Sequence, residues 1–129
     1  MYKPAMIAGA LFAALAVILG AFGAHALKEV LTPEQLQTFE TGVKYQVYHS
    51  FALLITGLVY AHLPVKMFRV AAAMFITGIL LFSGSLYLLT MLKINGQVGL
   101  GGLGLITPIG GLFFIVGWIV FCLGFLQKK

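Results

Sequence analysis

Acid is scarce in this 129-residue chain, and where it is missing matters more than how little there is. Its three acidic residues, Glu29, Glu34 and Glu40, crowd into one short segment. No carboxylate falls inside a long apolar stretch, so the chain lacks the mid-membrane acid that a proton-coupled cation exporter uses. Cysteine is nearly absent too. Cys122 stands alone, which excludes an internal disulfide and a two-thiol redox relay. Its expected role is a small apolar side chain packed between helices. Charged residues make up 9% of the chain, against about 25% in a soluble domain. The net charge of +5 does not point to nucleic acid, because no basic cluster lies on an aqueous domain. Ser83 or Ser85 with His49 forms only a formal Ser–His pair. No nucleophile-elbow pattern accompanies it, so an intramembrane serine protease is not expected. Nothing in the sequence names a catalytic residue, and enzymatic activity is not expected.

What the chain has in abundance is apolar length. Hydrophobic residues make up 61% of it. Four apolar stretches run about 5–24, 48–63, 68–92 and 107–126. About 20 apolar helical residues cross a hydrocarbon core of about 30 Å. The expectation is an all-α, polytopic membrane protein. It forms one domain over residues 1–129, with four transmembrane helices and a short amphipathic outer segment. Lys3, Lys66, Arg69, Lys128 and Lys129 fall on one face of that arrangement; Lys28, Lys44 and Lys93 fall on the other. This asymmetry puts both termini in the cytoplasm. Lys3, the first apolar run and Ala24-His25-Ala26 also resemble a cleavable signal sequence. The run of about 19 residues is long for that, so an uncleaved span is expected.

Local signals refine the picture. Thr32-Pro33 with Gln35 reads as a capping box, and Leu31 with Leu36 as a hydrophobic staple. Two readings follow: an amphipathic helix lying at the outer surface, or an N-terminal extension of the second span, broken or bent near Gly42. Tyr60 and His62 read as interfacial anchors. Gly99, Gly101 and Gly104 match G-x-G-x-x-G. No strand precedes them, so a flexible or re-entrant connection is expected instead of a dinucleotide fingerprint. Thr107-Pro108 reads as the N-cap and first position of the fourth helix. Gly20, Gly23, Gly84, Gly110, Gly111 and Gly117 are expected to let helices pack closely, within one chain and between copies in a homo-oligomer.

Antiparallel threading brings polar residues of all four spans to one level in the outer half: His25, Tyr45, Gln46, His49, Ser83, Ser85, Tyr87 and Thr107. Polar groups within a membrane face the bundle interior or a wet cavity. Three readings stand open. The residues form a hydrogen-bonded layer that fixes helix register. They line a pocket for a small solute or ion. Or His25 and His49 ligate a metal or haem iron, making a redox protein. Two histidines without a nearby carboxylate or thiolate make a thin metal site. The inner halves of the spans offer no polar route. The lipid bilayer and further copies of the chain are the partners the sequence implies; the ligand and any cofactor stay unassigned.

Certain residues, taken together, resemble a known family. They are Gly-Ala-Phe-Gly-Ala-His-Ala-Leu at 20–27, Tyr-Gln with His at 45–49, Gly-Ser-Leu-Tyr at 84–87, Thr-Pro-Ile-Gly-Gly at 107–111 and Gly-Trp at 117–118. The chain resembles the YgdD-like small bacterial inner-membrane proteins, related to animal transmembrane protein 256. The resemblance implies four membrane helices and a plasma-membrane location, and it carries no known activity. Its recurrent positions fall on His25, Tyr45, Gln46, His49, Gly84, Ser85, Tyr87, Thr107, Pro108, Gly110 and Gly111.

Overall fold

The computed structural model describes residues 1–96 and 101–127. These are helical and contain no strand. In chain order they are α1 (Lys3–His25), a 3-10 turn (Leu27–Glu29), α2 (Pro33–His62), α3 (Lys66–Gly78), a π-helical segment (Ile79–Ser83), α4 (Gly84–Ile94) and α5 (Gly101–Gly124). α3, the π segment and α4 form one continuous rod. Among the described residues, three helices are long and apolar enough to cross a membrane: α1, the α3–α4 rod and α5.

α2 starts where the capping box predicts. The Gln35 N–H donates to Thr32 Oγ1 at 3.2 Å, and the Thr32 N–H donates to Gln35 Oε1 at 3.1 Å. Leu31 and Leu36 share an apolar cluster with Phe39. The helix then runs unbroken for 30 residues through Gly42. The expected outer segment is therefore the first turns of α2, and the helix does not break at Gly42. The glycine serves packing instead, since a Cβ there would lie 2.8 Å from the Tyr87 ring. At about 45 Å, α2 exceeds the hydrocarbon thickness. Exposed Glu34, Gln37 and Glu40 occupy its polar beginning.

Neighbouring helices run antiparallel, as their contact pairs show. Along α1 and α2, Tyr2 meets Gly57, Gly9 meets Ser50, and Gly23 meets Phe39. Along α2 and the rod, His49 meets Phe75 and Gly42 meets Ser83. Along the rod and α5, Phe68 meets Gly124, Phe75 meets Gly117, and Ser85 meets Thr107. The main apolar core lies between α1, α2, the rod and α5, built on Ala5, Ala52, Leu53, Ala71, Ala72, Phe75, Ile79 and Phe114. Four of these eight are alanine, which keeps the backbones close.

Two expectations about the last helix change. α5 begins at Gly101, so Pro108 lies inside it and Thr107 caps nothing. An interior proline removes one helical N–H, a loss that membrane helices tolerate when neighbours supply other partners. Thr107 Oγ1 is engaged across the interface with Ser85. Residues 97–100 of the expected glycine-rich connection, and Lys128 and Lys129 of the terminus, lie outside the described residues. Cys122 is exposed on α5 and is not packed between helices.

Candidate functional site

Three helices meet at Gln46. It is 1% exposed. Its Nε2 donates to the Phe12 carbonyl of α1 at 2.8 Å. Its Oε1 accepts from the Tyr87 hydroxyl of α4 at 2.7 Å. The amide can take only this orientation, because a carbonyl accepts and does not donate. One turn along α2, His49 is equally committed. Trp118 Nε1 lies 3.0 Å from His49 Nε2, and the indole N–H can only donate. The other ring nitrogen, Nδ1, sits 2.7 Å from the Tyr45 carbonyl, which can only accept. The imidazole is therefore the neutral Nδ1–H tautomer, with both nitrogens used inside the protein. Its ring lies parallel to Phe114 with centroids 3.6 Å apart.

A second set of bonds ties the rod to its neighbours. Ser83 Oγ donates to the Gly42 carbonyl at 2.6 Å. Ser85 Oγ donates to the Phe82 carbonyl at 2.9 Å and lies 2.5 Å from Thr107 Oγ1. Since the one Ser85 proton goes to Phe82, Thr107 is the donor of that pair. Ser50, Thr56 and Thr90 return their hydroxyls to their own helix. Among the described residues, every buried side-chain nitrogen and oxygen has a partner.

Gln46, His49, Ser83, Ser85, Tyr87 and Thr107 thus each hydrogen-bond to another helix and form a band of separate interhelical links. Tyr45 borders it, packing its ring 4.8 Å from that of Phe82. His25 does not join it. That side chain is exposed at the end of α1. Gln46 is level with Phe12, thirteen residues earlier on α1, so about 20 Å of helix axis separates His25 from Gln46. Gln46 and His49 lie near the level of the middle of α1, while Tyr87 packs on Phe39, which Gly23 of α1 touches. His49 sits further along its helix than expected because α2 begins at Pro33, about four turns before it. A metal or haem site shared by His25 and His49 does not fit this geometry. The two rings are far apart, and both His49 nitrogens have protein partners.

The glycines divide. A Cβ at Gly110 would press on the backbone of Leu81 and Phe82, and one at Gly117 or Gly23 on the ring of Phe75 or Phe39. Gly20 and Gly111 make only ordinary contacts, and a Cβ at Gly84 would meet nothing within 4 Å. Sequence reasoning missed Trp118, Phe114 and the π turn. Trp118 had a readable signal: a lone indole N–H in an apolar helix needs an acceptor nearby. The π turn had none. Three cavities lined by described residues open away from the band, one of them around Thr38 and Lys93, one beside Tyr2 and one beside Met74.

Comparison with known proteins agrees with a membrane protein. Residues 19–111 match the family described as "Protein of unknown function (DUF423)". A UPF0382 membrane protein of Staphylococcus aureus (strain bovine RF122) is 43% identical over 115 residues, 89% of this chain and 88% of the relative. The UPF0382 membrane protein YwdK of Bacillus subtilis is 41% identical over 119 residues, 92% of each chain. A UPF0382 membrane protein of Haemophilus influenzae is 41% identical over 113 residues, 88% of this chain and 86% of the relative. No solved structure matches. The chain belongs to the DUF423 family of UPF0382 membrane proteins.

Proposed function

We propose that this protein is a non-enzymatic, membrane-organising four-span bundle, with its polar band acting as a lock on helix register. The observation that carries the reading is the His49 ring, held between Trp118, Phe114 and the Tyr45 carbonyl with no nitrogen left for a ligand. Lipid offers no hydrophobic drive between helices, so close packing and interhelical hydrogen bonds must supply the cohesion. α2 is the fourth span in this reading. It lies alongside α1 from Phe39 to Gly57, so a bilayer crossed by α1 is crossed by α2 as well. Both termini face the cytoplasm of a bacterial inner membrane, on the strength of Lys3, Lys66 and Arg69 at one end. Exposed Ala10, Ala14 and Ala21 on α1 suit self-association into a homo-oligomer. Kinship with the YgdD-like proteins and transmembrane protein 256 belongs to the same reading.

The test is absorption spectroscopy and metal analysis of the full chain purified in mild detergent, with His49→Ala alongside. The expected result is a colourless wild type without stoichiometric metal, and a variant that unfolds more readily. A Soret band or a bound metal that disappears in His49→Ala would overturn the lock and make His49 a ligand.

A further inference from the structure

At the end of the bundle opposite the three glutamates, cations face a built hollow. A cavity of about 500 Å³ opens between Tyr2, Tyr60, Lys66 and Arg69, with Val70 and Ala73 continuing its wall along α3. Its rim is held in place. The Tyr2 N–H donates to the Gly57 carbonyl at 3.0 Å, and the Tyr2 and Tyr60 rings pack at 5.5 Å. The Arg69 guanidinium sits 5.5 Å over the Tyr2 ring. A cation–π contact leaves the guanidinium's in-plane donors free for an anion. No acidic side chain of this chain can reach them. Glu40 is the acid nearest in sequence to Tyr60 on α2, and twenty residues put it about 30 Å away along the helix. Lys66 to Ala73 spans about 10 Å of axis, so the wall turns from cationic to apolar as it enters the bilayer.

We propose that this cavity binds the phosphate of an anionic phospholipid, with one acyl chain lying along Val70 and Ala73. A phosphodiester presents the anionic oxygens that no acidic side chain offers Lys66 and Arg69, and the apolar wall below suits a chain attached to it. A free phosphate shares the headgroup chemistry but makes no use of Val70 and Ala73.

The experiment places the full-length protein in nanodiscs of phosphatidylcholine with trace spin-labelled phosphatidylglycerol or phosphatidylcholine, and reads relative association from the immobilised spectral component. Wild type is expected to prefer phosphatidylglycerol, with the preference falling roughly five-fold for each cation removed in Lys66→Gln and Arg69→Gln. Lys28→Gln with Lys93→Gln, which removes the same charge from the other end, is expected to leave it unchanged. Thermal unfolding of each variant checks that the fold persists. Equal association of the two lipids with wild type overturns the proposal. So does an equal loss from the distal pair, which would mean bulk charge. Displacement of the lipid by millimolar inorganic phosphate would overturn the lipid assignment in favour of a free-anion site. None of these outcomes depends on the His49 lock.

Discussion

Gln46 and Tyr87 offer the sharpest test of the band, because each is the other's partner. Gln46→Leu removes the acceptor of the Tyr87 hydroxyl and the donor to the Phe12 carbonyl. Phe12 lies mid-helix, so its carbonyl retains its own helical bond and loses little. The cost falls on Tyr87, a half-buried hydroxyl that loses its Gln46 acceptor and has only Ser83 beside it. An unsatisfied group of this kind costs about 1–3 kcal/mol. Tyr87→Phe does the reverse, stranding a fully buried Gln46 Oε1 at a similar cost. The double variant leaves neither group unpaired, so it should cost less than the two singles added together. Side-chain hydrogen bonds between membrane helices average about 0.6 kcal/mol and reach about 1.7. A coupling of about 1 kcal/mol is therefore expected. The assay is reversible unfolding in mixed micelles titrated with sodium dodecyl sulfate. Gln46→Leu combined with Thr56→Ala serves as the uncoupled control, because Thr56 bonds within its own helix, ten residues away. Gln46→Leu and Tyr87→Phe costs that add to within about 0.3 kcal/mol would refute a direct bond between them.

Three further outcomes follow from the geometry. Gly110→Ala should destabilise the bundle by about 1–3 kcal/mol, because its Cβ meets backbone that cannot step aside, whereas Gly84→Ala should be neutral or stabilising; equal costs in the same unfolding assay would remove the close approach as the reason. Trp118 is the chain's one tryptophan, so its emission reports the His49 contact. His49→Phe takes away the indole's acceptor and should move the emission to the blue, and an unchanged spectrum would place the hydrogen bond in doubt. Cys122 is exposed, so Cys122→Ser should shift stability by less than about 0.5 kcal/mol and open the chain to single-cysteine labelling. In intact cells an impermeant maleimide should then label a cysteine at Glu34 and spare one at Lys3 or Lys66. Opposite labelling of Lys3 and Lys66 would mean that α2 does not cross.

The helical architecture was legible because apolar length is a strong signal, and lipid permits few other backbones. Depth was harder to read. Apolar windows show where a span is greasiest, not where its helix starts, and α2 begins fifteen residues before its apolar stretch at Tyr48. That offset carries Gln46 and His49 to the level of Phe12 and leaves His25 behind. Gly42 and Pro108 were misleading for a related reason. Each reads as punctuation in a soluble chain, yet both sit inside helices here. At Gly42 the missing Cβ admits the Tyr87 ring. At Pro108 the neighbouring Thr107 side chain is spent on Ser85 instead of on a cap. Partner choice across helices, such as Trp118 for His49, depends on rotation about each axis, which sequence spacing alone does not fix.

The π segment explains why so many contacts gather in one place. Ser83 reaches Gly42 of α2 from it, the backbone of Leu81 and Phe82 lies under Gly110 of α5, and the Phe82 ring packs on both Tyr45 and Phe114. A π turn accommodates one residue more than a regular helix would hold over the same rise. The rod can therefore present Phe68, Ala72 and Phe75 below it and Ser85, Leu86 and Thr90 above it without the extra residue rotating either face away from the core. This account makes deletions unequal. Removing exposed Leu80 from the π segment should let it close to an ordinary α turn while both flanks keep their facing. Removing exposed Ala73 from regular α3 should turn Phe68, Ala71 and Ala72 by about 100° out of the core. Folding yield and detergent stability are expected to survive the first deletion far better than the second. Equal tolerance of the two would mean that the π turn does not absorb the surplus residue.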